Sequence, residues 1–358
     1  MRVGIITFHN SYNFGSALQA YALQTAVGDM GHEATIIDYR SRNFDQYLLL
    51  TPRHPRQTLK VISHFSAYVR RRQSFRRFWT KWLRLTSRHY KWTNEGQLEE
   101  LPAQFDAFVC GSDQIWNLDA TQGVVGPYFL SFAGNRRRVA YAPSLAHTSF
   151  RPEYFDKRQV AALLGMFDAI SVRERETVGL FQPLVGKKIK VTLDPTLLLS
   201  ADTYRAIATP RLITGDYVFV YQLADCPEMI ESVIEVAAKC HTRVVYVSEH
   251  KLPIQNSVNL FGVGPEDFVS LVANADRVFT NSFHATVFSL LFHRPFQSFS
   301  SDGSGSRMRD LLGSLGLESS FSDHKDIDPL PIIDWDDVDR RIAHLRDDSL
   351  RFLREALA

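Results

Sequence analysis

The chain has 358 residues, 45% of them hydrophobic and 22% charged, with a formal net charge of +2; this is the make-up of a globular protein with room for two domains. No apolar run approaches the ~20 residues of a membrane span, and "MRVGIITF" lacks a signal peptide's cleavage region. Cys110, Cys226 and Cys240 are too scattered for a disulfide framework or a zinc site, so a cytoplasmic protein without a bound metal is expected.

In chain order, "RVGIITF" reads as a buried strand, "GSALQAYALQTAVGDMG" as a helix closed by glycine, and "ATIIDY" as a second strand. Together they predict a βαβ unit of a parallel sheet. The turn "FHNSYNFGS" brings Asn10, Ser11 and Asn13 to a strand's carboxyl end as neutral donors and acceptors, and Gly15 permits a close backbone approach. The turn lacks G-x-G-x-x-G, so a dinucleotide site is not indicated. Helix capping by Asn or Ser is the structural alternative.

Residues 46–94 then carry no Asp or Glu. They hold Arg53, Arg56, Lys60, Arg70, Arg71, Arg72, Arg76, Arg77, Lys81, Arg84, Arg88 and Lys91, interleaved with Phe65, Tyr68, Phe75, Phe78, Trp79 and Trp82. A basic helical insertion is expected, either with a solvated face or with a face toward an anionic membrane. Nucleic acid is not expected as a partner, because no nucleic-acid module accompanies the segment.

"FDAFVCGSD", "RRVAYAPSLA", "AISVRE" and "KIKVTLDPTLLL" are further short strands with polar ends that would together form a crevice. After the first of these, Asp113, Gln114, Trp116 and Asn117 combine a carboxylate, amides and an indole, a mixture suited to a sugar's hydroxyls and apolar face. A capping aspartate and a packed tryptophan form the alternative. Arg173 directly follows the strand in "ISVRERE".

The stretch "DPTLLLSADTYRAIATPRLITGD" reads as a boundary, giving an N-terminal domain 1–205 on the acceptor side and a C-terminal domain 206–358 on the donor side. Alternation resumes with "YVFVYQL", "PEMIESVIEVAAKCH" and "RVVYVSE". The expected fold class is therefore α/β, with two Rossmann-like domains facing a cleft. In "TNSFHATVFSLLFHRPF", His284 falls between a strand and an apolar helix. By itself such a histidine is more often packed than catalytic. His293 supplies no zinc-like spacing, and no G-x-S-x-G supports serine chemistry. Arg307 and Arg309 follow the loop of "SDGSGSRMRDLL", and with Arg173 they suggest a cationic pocket for phosphate or carboxylate.

"ITFHNSYNFGSALQAYALQ", "GSDQIWN", "VAYAPSLA", "SVRE", "DPTLLL", "NADRVFTNSFHATVFSLLFHRPF" and "SRMRDLL", in this order, closely resemble the polysaccharide pyruvyl transferase family. The resemblance implies a GT-B-like fold. It also implies transfer of a pyruvyl group from phosphoenolpyruvate to two hydroxyls of a sugar, in a polysaccharide or a lipid-linked precursor, with formation of a cyclic ketal and release of phosphate. No cofactor is implied besides phosphoenolpyruvate as co-substrate.

On the same resemblance His284 is the active-site histidine, and Arg173, Ser282, Arg307 and Arg309 are the donor-side residues. Better-studied branches carry an arginine where this chain has Ser282 and a glycine where it has Ala285. Peripheral attachment at the inner membrane face is a further expectation, drawn from the basic segment. The rival readings are a GT-B glycosyltransferase using a nucleotide sugar and a non-catalytic glycan-binding relative.

Overall fold

The computed structural model describes residues 1–42, 65–147, 151–300, 305–322 and 331–358. Arg53, Arg56, Lys60 and the loop positions 301–304 named above lie outside the described residues.

β1 (Arg2–Ile6) is an apolar run buried from Val3 onward, the pattern of a central strand covered on both faces. α1 (Phe14–Asp29) follows and returns the chain to β2 (Glu33–Ile36), which pairs with β1 in parallel. Twelve of the 16 residues of α1 are buried, so the helix is covered beyond a single face, and part of that cover is the turn Pro195–Leu198. β3 (Tyr39–Arg40) forms a small ribbon with β4 (Tyr90–Lys91), which comes after the basic helix α2 (Phe65–Trp82). β5 (Ala107–Cys110), α3 (Leu118–Thr121), β6 (Arg137–Ala140), α4 (Lys157–Gly165), β7 (Ala169–Val172), α5 (Arg175–Phe181) and β8 (Ile189–Val191) complete the first half. Its parallel sheet has the order β2-β1-β5-β6-β7-β8.

The second half repeats the scheme. α6 (Ala201–Ile207) leads to β9 (Tyr217–Tyr221), α7 (Pro227–Cys240), β10 (Arg243–Tyr246), β11 (Ser257–Asn259), α8 (Pro265–Ala273), β12 (Arg277–Thr280), α9 (Phe283–Leu291), β13 (Phe296–Phe299), α10 (Gly305–Leu315), β14 (Phe321–Ser322) and α11 (Trp335–Leu357). Its parallel sheet runs β11-β10-β9-β12-β13-β14. The fold class is thus α/β with two Rossmann-like units, and each sheet reverses its winding beside its first strand, at β1/β5 and at β9/β12. Such reversals are where open α/β sheets bind ligands.

The units exchange segments in a way a single cut at 205/206 does not capture. Contacts group the described residues of Met1–Leu48, Trp79–Leu198 and Ala343–Ala358 as one unit, and α2 up to Phe78 with Leu199–Ile342 as the other. The end of α11 joins the first unit because Phe352, Leu353 and Leu357 are buried there. The Ser349 hydroxyl also accepts from the Leu193 amide at 3.0 Å. Most of α2 joins the second unit because Tyr68 packs edge-on to Phe261, 5.1 Å between ring centroids, and Arg71 donates to the Phe261 carbonyl at 3.2 Å.

The helix expected in the basic segment is present as α2, and its composition sorts by face. Tyr68, Phe75 and Phe78 are buried, while Arg70, Arg72, Arg76, Arg77 and Lys81 are exposed. The aromatic side chains are thus largely spent on packing. No helix among the described residues is long and apolar enough to cross a membrane.

Candidate functional site

In the first unit the loops after β1 and β5 are tied together by buried polar groups. Gln19, on α1, donates from Nε2 to Thr7 Oγ1 and the Phe8 carbonyl, both at 2.9 Å, and its Oε1 accepts from the Ser112 amide at 3.2 Å. Asp113 accepts from Ser16 Oγ at 2.5 Å, although it sits at φ +63°, a left-handed conformation that aspartate tolerates better than most residues. Gly111 cannot be replaced without damage. Its φ is +115°, and an added Cβ would lie 2.1 Å from the Tyr141 carbonyl oxygen.

The acceptor candidates divide on this framework. Asn13 caps α1, accepting from Gly15 N at 2.8 Å and Ser16 N at 3.3 Å, and Gly15 lies inside the helix's first turn. Asn117 caps α3 and donates to Gln114 Oε1 at 2.8 Å. Trp116 requires correction as a sugar platform. It is fully buried, stacks on Phe129 at 4.9 Å, and donates Nε1–H to the Tyr128 carbonyl at 3.0 Å, so its indole belongs to the core. Gln114 is half-buried. Asn10 is nearly buried and reaches Asp38 Oδ1 at 3.4 Å, and the buried Ser11 hydroxyl beside it has no hydrogen-bond partner among the described residues.

Two polar clusters here centre on buried carboxylates, and of their members only Arg173 was named from the sequence. His9 Nε2 lies 3.2 Å from Asp38 Oδ1, His89 approaches the other carboxylate oxygen, and Arg40 stands 3.5 Å away. Burial raises the Asp38 pKa, but the hydrogen bond from His9 and the charges of His9, Arg40 and His89 outweigh it and hold the carboxyl well below the usual range. A depressed folded pKa contributes stability that is complete above the unfolded value of about 3.9 and is lost as pH falls below it. Asp38→Asn is therefore expected to cost about 1–3 kcal/mol at neutral pH and to flatten the acid limb of stability, as read by urea denaturation at a series of pH values.

The second cluster holds Arg173. Its Nη2 donates to Asp194 Oδ2 at 2.8 Å and to Ser112 Oγ at 2.7 Å, and the Ser112 hydroxyl in turn donates to the Ala142 carbonyl at 2.6 Å. Asp194 also accepts from the Thr196 amide at 2.9 Å. Next to Arg173, Glu174 accepts from Ser144 Oγ and from Thr177 Oγ1. The structure therefore joins Arg173 to Asp194 within the first unit.

In the second unit the chain leaves β12 through Asn281 and Ser282 into α9. Asn281 staples this turn to the loop after β9, accepting from Leu223 N and donating to the Ala224 carbonyl, both at 2.7 Å. Ser282 serves as N-cap, its hydroxyl accepting from Ala285 N at 3.4 Å. That role accounts for a small hydroxyl residue at this position.

His284 thus falls in the first turn of α9, 7% exposed, with its ring edge-on to Phe283 at 5.4 Å. Arg307, from α10, places its guanidinium over the same Phe283 ring, 5.8 Å from its centroid. Below them Thr286 Oγ1 and Ser298 Oγ meet at 2.6 Å, which locks α9 to β13. Arg309 is exposed and stacks on Phe321 at 4.9 Å. The structure therefore brings His284, Ser282 and Arg307 together and sets Arg309 outside this group. Asn281, missed in the sequence, was visible there as a polar residue at the end of a predicted strand.

Two Rossmann-like units, each built on a parallel sheet with polar side chains gathered at the carboxyl ends of its strands, define a GT-B-like α/β protein. The family model for polysaccharide pyruvyl transferase matches residues 13–303, most of the chain, and the protein belongs to that family. Among curated protein sequences none matches.

Solved structures are similar in fold. A MnaA–UDP co-structure from S. aureus superposes with a TM-score of 0.53 at 12% identity, covering 99% of this chain and 91% of that one. The UDP-GlcNAc 2-epimerase from Methanocaldococcus jannaschii gives 0.50 at 11% identity, covering 96% and 92%. At such identities the likeness concerns the fold alone.

Proposed function

We propose that the protein transfers a pyruvyl group from phosphoenolpyruvate to two hydroxyls of a sugar, in a polysaccharide or a lipid-linked precursor, forming a cyclic ketal and releasing phosphate. Family membership supports this reading. The observation that carries it is the placement of His284 in the first turn of α9, where its ring and the guanidinium of Arg307 both contact Phe283.

The chemistry asks for these groups. Phosphoenolpyruvate is a small polyanion and needs cations and helix-end amides around it, which Arg307 and the start of α9 supply. A proton added to its methylene carbon turns the enol carbon into an oxocarbenium-like centre. The first sugar hydroxyl attacks that carbon and loses its proton. Phosphate then departs with the C–O bond electrons, and the second hydroxyl closes the ring on the same carbon. Of the two hydroxyl protons, one balances the new methyl group and the other leaves with phosphate. His284 is the residue that gives or takes a proton here. The donor is already activated, so the proposal calls for no further cofactor.

The acceptor sugar is assigned to the loops after β1 and β5, where Asn10, Ser11 and Gln114 offer polar atoms. Docking at an anionic inner membrane face is assigned to the exposed arginines of α2 and would be mainly electrostatic, since Tyr68, Phe75 and Phe78 pack inward and Phe65 is the exposed aromatic residue of the helix. The test is a thermal-shift comparison. Phosphoenolpyruvate at 100 times its dissociation constant stabilises by about 2.7 kcal/mol, and is expected to raise the melting temperature by several degrees where UDP leaves it unchanged. Stabilisation by UDP and not by phosphoenolpyruvate would transfer the assignment to a nucleotide-sugar glycosyltransferase.

A further inference from the structure

Arg70 and Lys251 line one open cavity of about 760 Å³, contained in the second unit and lined by none of the residues assigned above to phosphoenolpyruvate or to the acceptor sugar; Arg70 and Arg77 belong to the exposed basic face of α2. We infer that this cavity holds the phosphorylated end of the acceptor, a sugar phosphate or diphosphate. Naming the ligand as acceptor rests on the pyruvyl-transfer reading; reading the cavity as a phosphate site does not.

One wall is α2, through Arg70, Gln73, Ser74 and Arg77, and the other is the chain from Lys251 through β11 to the turn at Gly262. The α2 wall is fixed in place. Arg71 stacks over the rings of Phe75 and Phe261 at 5.1 and 5.2 Å while donating to the Phe261 carbonyl, and the Tyr68 hydroxyl binds Glu249.

The charges in the cavity do not cancel. Asp267, its lining carboxylate, is committed to Thr209 Oγ1 and to the Gly264 amide, both at 2.9 Å. Arg77 faces Glu266 at 3.6 Å. Arg70 and Lys251 pair with no carboxylate among the described residues. Two cations lining one cavity, neither paired with a carboxylate among the described residues, with Gln73 and Ser74 as neutral donors, select an anion with several acceptor oxygens.

Size and lining argue for more than the anion. Sites of roughly 300–1,000 Å³ hold small organic ligands, and Tyr246, Leu260, Phe261 and Val263 add the apolar surface a sugar ring packs on. Topology connects the cavity to His284. The cavity opens beyond the carboxyl ends of β10 and β11, and His284 follows the carboxyl end of β12; β10 and β12 both flank β9. Their ends are therefore two strand spacings apart, about 10 Å, a distance that a short glycan spans. A phosphate held by Arg70 and Lys251 would place the sugar it carries toward His284.

The test is isothermal titration of the full chain with glucose 1-phosphate, with glucose as control. The variants are Arg70→Ala/Lys251→Ala and His284→Gln. Arg70 and Lys251 are exposed, so the double variant should melt as the wild type does without ligand. Wild type is expected to bind glucose 1-phosphate and not glucose. The double variant should bind at least tenfold more weakly yet keep its stabilisation by phosphoenolpyruvate, and His284→Gln should bind like wild type. Unchanged affinity in the double variant, equal binding of glucose, or no binding by wild type would overturn the inference. Loss of phosphoenolpyruvate stabilisation in the double variant would overturn it too, by assigning these cations to the donor. If phosphoenolpyruvate never stabilises wild type while glucose 1-phosphate still binds through Arg70 and Lys251, the pyruvyl-transfer reading fails and the phosphate site stands.

Discussion

Alanine at position 284 is expected to lower phosphate release from phosphoenolpyruvate plus acceptor by about 10²- to 10⁴-fold, the range for removal of a positioned acid or base. The surrounding structure does not depend on the imidazole. The turn is held by Asn281, the helix start is capped by Ser282, and α9 is locked to β13 through Thr286 and Ser298. Truncating a side chain that is 7% exposed leaves a small void, at a cost of about 1–3 kcal/mol, which a melting curve will register as a shift and not as loss of the transition.

His284→Gln fills that void and offers polar atoms but cannot move a proton in this way. It should show the same fall in kcat with the KM for phosphoenolpyruvate changed only a few-fold. Steady-state kinetics of both variants decide the point. Turnover near wild type in either one returns His284 to a packing role, and a raised KM with unchanged kcat makes it a donor-binding residue.

Much of this site was legible before any coordinates. The strand "ADRVF" running into "ATVFSLLF" marks a strand-to-helix junction because its periodicity changes there, and His284 falls at that change. Repeated apolar strands with polar ends likewise announced two parallel sheets, since strands covered on both faces must read as continuous apolar runs. What failed was assignment by residue type. Trp116 has the chemistry of a sugar platform and the position of a core residue, and only packing against Phe129, Phe167 and Phe181 decides between them. Arg173 and Asp194 are 21 positions apart in the chain, with β8 between them, so neither betrays the other as a partner. The exchange of segments between the units was hidden for a similar reason. An amphipathic terminal helix shows that it has a buried face, but not which unit covers it.

Replacing Asp194 by alanine is expected to destabilise the first unit by about 3–5 kcal/mol, the cost of leaving one member of a buried ion pair uncompensated. The Arg173 and Asp194 side chains are 3% and 0% exposed. Without the carboxylate, the Arg173 guanidinium keeps a contact to Ser112 Oγ but loses its counter-charge in a region where water cannot replace it. The Thr196 amide loses its acceptor at the same time, which loosens the turn Pro195–Leu198 that covers α1. Urea denaturation followed by tryptophan fluorescence should therefore show an early transition, reported by Trp116 in the core of that unit, while the second unit unfolds where it does in wild type. The double replacement Arg173→Met/Asp194→Leu removes both charges and should recover most of the loss, because the desolvation of two ions offsets much of what their attraction supplies. If Asp194→Ala alone unfolds within about 1 kcal/mol of wild type, water reaches Arg173, and the arginine is then open to the anionic substrate. If the cost is large and the double variant is stable but inactive, Arg173 serves the reaction, and Asp194 is the residue that holds its guanidinium in position.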